Sequence, residues 1–218
     1  MIQLLERVEQ LHSIGYVHND IKLENIVIGA DKPSKIYLID FGLSAKYIDE
    51  KGQHVQKQYI SNFSGNFFFA SLNSARGFNK SRRDDIESLF YLLIYMLNQD
   101  NLPWCDLLKH DDGVKPDLKT LLKERLDLKY TKQLFASAPP ELTDCLKKVM
   151  TLTFEETPSY QYYKETLASC AFKLINPSVN SRFNVLEQVR RMAFEWIDRS
   201  SFKNIPLPPQ QLNPRKQP

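Results

Sequence analysis

The amino-acid sequence predicts a mostly helical protein with one small β-hairpin. Three observations carry that prediction. Apolar residues recur at helical spacing in stretches along the whole chain. Two short runs rich in β-branched residues, Ile26-Val27-Ile28 and Ile36-Tyr37-Leu38-Ile39, flank a turn-rich link from Gly29 to Lys35. The 218 residues, 42% hydrophobic and 25% charged, have the length and composition of an ordinary globular core.

Taken in order, residues 1–14 place Leu4, Leu5, Val8, Leu11 and Ile14 on one helical face, and Gly15 is a natural stop. The helix lacks a capping residue before Met1, as if it began upstream. The hairpin follows, with Asn25 just before its first strand and Asp40 just after its second. Residues 43–80 read as a long irregular segment, polar at first and then aromatic at Phe67, Phe68 and Phe69. Loops of that length inside a compact domain are usually functional or disordered. From Asp85 to Leu97 the apolar residues ring the helix and do not form a stripe, which predicts burial on most sides. Helices are expected at 117–125, at 140–152 behind Pro139-Pro140, at 159–174, and again as an amphipathic segment at 182–199. The proline-bearing stretch from 203 to 218 reads as a disordered tail. The expected organisation is a domain over 1–174, a helical extension over 175–202 and the tail.

Charge and cysteines exclude several classes. With 29 basic and 26 acidic residues interspersed, a net charge of +3 gives no nucleic-acid footprint. Cys105, Cys145 and Cys170 are too scattered for a zinc site or a disulfide framework and read as idle thiols. No apolar run is long enough to span a membrane, and the amino terminus lacks a signal-peptide pattern. An intracellular protein of cytoplasm or nucleus, with no membrane partner, is expected.

Chemistry concentrates in two segments. The first is His18-Asn19-Asp20-Ile21-Lys22-Leu23-Glu24-Asn25, in which an Asp and an Asn five residues later supply a proton acceptor and a metal ligand from one loop. The second is Asp40-Phe41-Gly42, which offers a further carboxylate to the same metal from the end of a strand. Phosphoryl transfer depends mostly on positioning and charge neutralisation, so a few fixed groups suffice. Together the segments resemble the catalytic signature of protein kinases. Further on, Ala70-Ser71-Leu72-Asn73, Ser81-Arg82-Arg83-Asp84-Asp85-Ile86-Glu87-Ser88-Leu89 and Leu102-Pro103-Trp104 are similar to segments of the casein kinase I family.

That resemblance implies the large, C-terminal lobe of a kinase fold and transfer of the ATP γ-phosphate to protein serine or threonine. It implies that Asp20 accepts the hydroxyl proton, Lys22 touches the transferring phosphate, Asn25 and Asp40 hold Mg2+, and Val27 and Ile39 contact the adenine. Asp85 would anchor the catalytic-loop backbone and His18 would pack on Phe41. Kinases also carry a glycine-rich loop and a strand lysine ahead of the catalytic loop. Here the first lysine is Lys22 and the only earlier glycine is Gly15, so the expectation is a large lobe without its small one, inactive by itself.

Three positions depart from the family pattern. Asn19 stands where an Arg normally precedes the catalytic Asp. Asn66 replaces a Thr that bonds that Asp, a bond an amide NH could partly supply. Phe68 replaces an Arg that helps hold a phosphate already on the substrate, while Lys115 retains part of that pocket. The partners expected are ATP and protein substrates with acidic flanks, a phosphate already on the substrate adding little. Arg82 and Arg83 are a possible anion site, with surface solvation an equal alternative. The rival overall reading is a non-catalytic kinase-like scaffold.

Overall fold

The computed structural model describes residues 1–108, 117–128, 132–135 and 138–175. The expected helix 182–199, the tail and Lys115 lie outside the described residues.

The first helix, α1, spans Ile2–Ser13 and buries Leu4, Leu5 and Val8. It stops where expected: Gly15 takes a left-handed φ of 87° and its N–H bonds back to the His12 carbonyl at 3.0 Å. The hairpin is also as expected, β2 (Ile26–Ile28) pairing antiparallel with β3 (Ile36–Leu38) in the register Ile26↔Leu38, Val27↔Tyr37. The stretch 43–80 is largely irregular but contains two elements that the sequence pattern does not reveal. Ala45–Lys46 (β4) pairs antiparallel with Tyr16–Val17 (β1), and Leu72–Ala75 forms a short helix, α2.

Helix α3, Arg82–Leu97, starts three residues earlier than its apolar ring suggests. Its start is set by a capping box: Ser81 and Asp84 satisfy each other's backbone N–H groups. Ile86, Leu89, Phe90, Tyr91, Leu92 and Ile94 are buried around its circumference, while Met96 and Leu97 at its end are exposed. Helices α4 (Leu118–Leu128), α5 (Lys132–Phe135), α6 (Pro140–Thr151) and α7 (Tyr160–Ile175) complete the described chain. Pro139 and Pro140 sit at the N-cap and first turn of α6, where a missing N–H costs nothing. Around the central α3 pack α1 and α6, and α7 lies against both of those. Cys145 and Cys170 are buried free thiols, and burial pushes the Cys170 thiol up to about 11.

The carboxylates at the start of α3 tie this core to α2. Glu87 Oε1 accepts the Leu72 N–H and the Tyr91 hydroxyl, both at 2.8 Å. Arg125 is fully buried beside it, donating to the Ala70 carbonyl and stacked 4.6 Å from the Trp104 ring. Burial, reinforced by the neighbouring Asp84, pushes the Glu87 carboxyl up to about 7, against the pull of its two donors and Arg125. The folded protein therefore holds a proton that the unfolded chain releases above its ordinary 4.5. Stability conferred by this group is full below about pH 4.5 and is lost as pH rises to about 7. The whole swing is about 3 kcal/mol. Glu87→Gln keeps an oxygen for both donors and cannot ionise. Urea midpoints at pH 5 and pH 8 should differ less for E87Q than for the parent chain; equal differences would refute the assignment.

Candidate active site

Backbone anchoring comes first. Asp85, in the first turn of α3, is 2% exposed and collects three donors: His18 N–H at 2.6 Å and His12 Nε2 at 2.9 Å on one oxygen, Asn19 N–H at 2.9 Å on the other. Burial alone would raise this carboxyl. His12 and the two backbone donors outweigh it and hold the group below its ordinary value. The Tyr160 hydroxyl lies 2.7 Å from His12 Nδ1, and burial keeps that phenol protonated. The Nε2 hydrogen goes to Asp85, so the imidazole of α1 links Tyr160 on α7 to Asp85 on α3. The anchoring role expected of Asp85 is borne out by these contacts; His12 and Tyr160 carry no sequence signal beyond their helical positions.

Asp20 lies just beyond this anchor and is 6% exposed. Lys22 Nζ donates to its Oδ2 at 2.6 Å, and this bond is the main reason the lysine's pKa is raised. Asn25 Nδ2 donates to both the Asp20 carbonyl, at 2.8 Å, and Oδ2, at 3.1 Å. The 3-10 turn Leu23–Asn25 is what folds Asn25 back onto Asp20. The Asp20 N–H points to His18 Nδ1 at 3.3 Å, so the other ring nitrogen donates to the Ile39 carbonyl at 3.2 Å. The same ring makes the expected contact with Phe41, edge-on at 5.3 Å.

Asn25 also joins the loop to the hairpin, its carbonyl accepting the Ile39 N–H at 2.9 Å. Asp40 follows directly. It has a left-handed φ of 63°, unusual for a residue with a side chain, and its Oδ1 caps the Gly42 N–H at 3.1 Å. Asn25 and Asp40 offer oxygen donors, the hard chemistry that magnesium takes. Among the described residues no group of three His, Cys, Asp or Glu side chains could hold a metal. The donor set therefore fits an ion that keeps its waters and binds phosphate oxygens, and does not fit an enclosed protein cage. Directly opposed residues share a face of an antiparallel ladder, so Val27, Tyr37 and Ile39 present one apolar surface on the hairpin that Asn25 and Asp40 flank. Their exposures of 37%, 42% and 40% leave that surface free among the described residues.

A second tie comes from the segment before α3. Lys80 Nζ donates to the carbonyls of Asn19, at 2.8 Å, and Ser64, at 2.7 Å. It bridges the loop bearing Asp20 to the chain leading into Phe67–Phe69. Gly65 makes the approach possible: its φ is 97°, and a Cβ there would fall 2.6 Å from the Asn19 carbonyl oxygen. Neither residue stands out in the sequence, because the contact is purely tertiary.

Two expectations are corrected. Asn66 does not substitute for a hydroxyl on Asp20; its oxygen accepts the Phe68 and Phe69 N–H groups at 2.8 and 3.2 Å. Arg82 and Arg83 are not a free anion site. Arg82 donates to the Glu155 carbonyl at 2.5 Å and stacks on Tyr47, and Arg83 donates to the Leu152 carbonyl that ends α6. Lys115, the other cation of interest, lies outside the described residues.

A family model described as the protein kinase domain matches residues 1–189. The loop, hairpin and central helix that build the cluster all fall inside that span. The chain belongs to the protein kinase domain family, in which ATP is the phosphoryl donor, a divalent metal assists and proteins are the acceptors.

Proposed function

We propose that this chain is the catalytic lobe of a serine/threonine kinase of the casein kinase I type. The observation that carries the reading is the cluster of Lys22, Asp20 and Asn25, closed by bonds of 2.6 to 3.1 Å, next to a hairpin with exposed Val27 and Ile39. In this reading Asp20 orients the acceptor hydroxyl and takes its proton as the O–P bond forms. Lys22, already beside Asp20, neutralises charge on the transferring phosphoryl group. Asn25 and Asp40 would hold Mg2+, which when bound offsets negative charge on the phosphates. Val27 and Ile39 form the floor under the adenine. Acidic flanks on the substrate are supported by the resemblance and by Lys115 alone, since Phe68 brings no charge.

No glycine-rich loop precedes Asp20 in the 218 residues, so the chain alone is expected to show no appreciable transfer. The test joins a kinase small lobe ahead of Met1 and supplies radiolabelled ATP, magnesium and peptides identical except for a central Ser, Thr or Tyr. Label on Ser and Thr peptides but not on Tyr is the expected result. Equal label on Tyr overturns the serine/threonine assignment, and no label on any peptide favours the scaffold reading.

A further inference from the structure

The peptide unit between Asn19 and Asp20 is held at both of its polar atoms. Its N–H points to His18 Nδ1 at 3.3 Å, and its carbonyl accepts from Lys80 Nζ at 2.8 Å. Asn19 takes a left-handed φ of 70°, a conformation that residues with side chains rarely adopt and that persists where surrounding contacts enforce it. Rotation of this one peptide plane would turn the Asn19 carbonyl away. It would swing the Asp20 carboxylate as well, because the plane ends at the Asp20 Cα.

Lys80 reaches this loop from 61 positions further along the chain. Its Nζ also donates to the Ser64 carbonyl at 2.7 Å, with Ser64 Oγ at 3.4 Å. Every bond that Lys80 makes among the described residues goes to a carbonyl or hydroxyl oxygen and none to a carboxylate. Burial lowers its pKa, against the longer-range pull of Asp85, Asp84 and Asp20. A desolvated ammonium with only neutral acceptors is costly to keep. What it secures is the orientation of two backbone carbonyls. The side chain of Asn19 brings no charge to the loop; its Nδ2 is spent on the Leu43 carbonyl at 2.8 Å. The Ser64 end is equally exacting, since a Cβ on Gly65 would lie 3.2 Å from Lys80 Nζ as well as against the Asn19 carbonyl.

We infer that Lys80 is a positioning residue for phosphoryl transfer: it holds the Asn19–Asp20 peptide in the orientation that aims the Asp20 carboxylate, and it ties that aim to the segment running from Ser64 into Phe67–Phe69. The inference rests on the kinase reading for the word transfer. Lys80 acts through Asp20 and touches no substrate. Arginine at this position can keep both bonds with its several N–H donors, whereas methionine, similar in length, can keep neither.

The Asn19–Asp20 pair is the only Asn-Asp step in the sequence. Labelling asparagine carbonyl carbons and aspartate nitrogens with NMR-active isotopes therefore gives one correlation for this peptide in the 218-residue chain. Lys80→Met should shift that correlation, as the carbonyl loses its donor, and should speed exchange of the Asp20 amide. Lys80→Arg should leave both near the parent. In the protein joined to a small lobe, K80M should lower kcat by roughly tenfold to a hundredfold, the scale of a misplaced catalytic group, with KM for ATP little changed. K80R should retain most of the rate. A residue that only stabilised the fold would lower the urea midpoint and leave the kcat of the folded protein where it was. An unmoved correlation in K80M, or a K80M kcat within twofold of the parent, overturns the inference. Should K80M fail to fold by tryptophan fluorescence, Lys80→Gln, polar but shorter, carries the same expectations. If the joined parent transfers no phosphate, the kinase reading falls and the transfer role with it, whereas a shifted correlation still assigns Lys80 to the peptide. An active parent whose K80M variant is equally active counts against this inference alone.

Discussion

Replacing Asp20 by Asn in the protein joined to a small lobe is expected to slow phosphoryl transfer by roughly a hundred- to ten-thousand-fold, the usual share of a positioned proton acceptor. The substitution is nearly isosteric. The new amide oxygen can still accept from Asn25 and Lys22, which reach Oδ2 at 3.1 and 2.6 Å in the parent. What disappears is the negative charge and the ability to take a proton. The loss should therefore fall on kcat, with KM for peptide and nucleotide little changed. Steady-state kinetics with a serine peptide decide it. A D20N protein within tenfold of the parent kcat would mean that Asp20 is a structural turn residue and that the chemistry lies elsewhere.

The parts of this site that are legible in the sequence share one property: they are local. Asp20 and Asn25 are five residues apart on one loop, and Asp40 follows a strand whose partner begins just after Asn25, so motif and hairpin pattern together point to all three. The ring of apolar residues on α3 likewise implies burial, because a helix apolar on every side has no solvent face to offer. The burial of Ile86, Leu89, Phe90, Tyr91, Leu92 and Ile94 follows that logic.

What is not legible is held by tertiary contacts or is too short to carry a period. Two-residue strands such as Tyr16–Val17 and Ala45–Lys46 have no alternation to detect, and α2 has a single turn. Lys80 reaches Asn19 across 61 positions, so no spacing rule could pair them. Asn66 shows a subtler failure. Its amide can donate or accept, and the family resemblance implies a donor to Asp20. The adjacent turn has N–H groups at Phe68 and Phe69 that need an acceptor, and these local donors win. The early start of α3 is signalled by Ser81-x-x-Asp84, a capping pattern that the apolar ring alone does not reveal.

The largest stability effect is expected from Asp85→Ala. Truncation leaves the His18 and Asn19 N–H groups and His12 Nε2 without their acceptor in a site that is 2% exposed. Breaking such a buried charged network costs about 3–5 kcal/mol, a large share of a domain's total stability. Asp85→Asn is the graded companion: its oxygen can keep one or two donors, while its NH2 faces another donor and loses the rest. The two acids in the first turns of α3 should respond oppositely to pH. Because Asp85 titrates below its ordinary 3.8 when folded, its contribution is present above that value and is lost as pH falls through the depressed one. Glu87 contributes most at low pH and least above about 7. Urea unfolding followed by Trp fluorescence should show D85N less stable at pH 7 and with a shallower loss on acidification than the parent. Hydrogen exchange at the His18 and Asn19 amides gives the local reading: both should exchange faster in D85N, since their acceptor is weakened. Unchanged stability with unchanged protection at these two amides would show that α3 does not suspend the loop that carries Asp20.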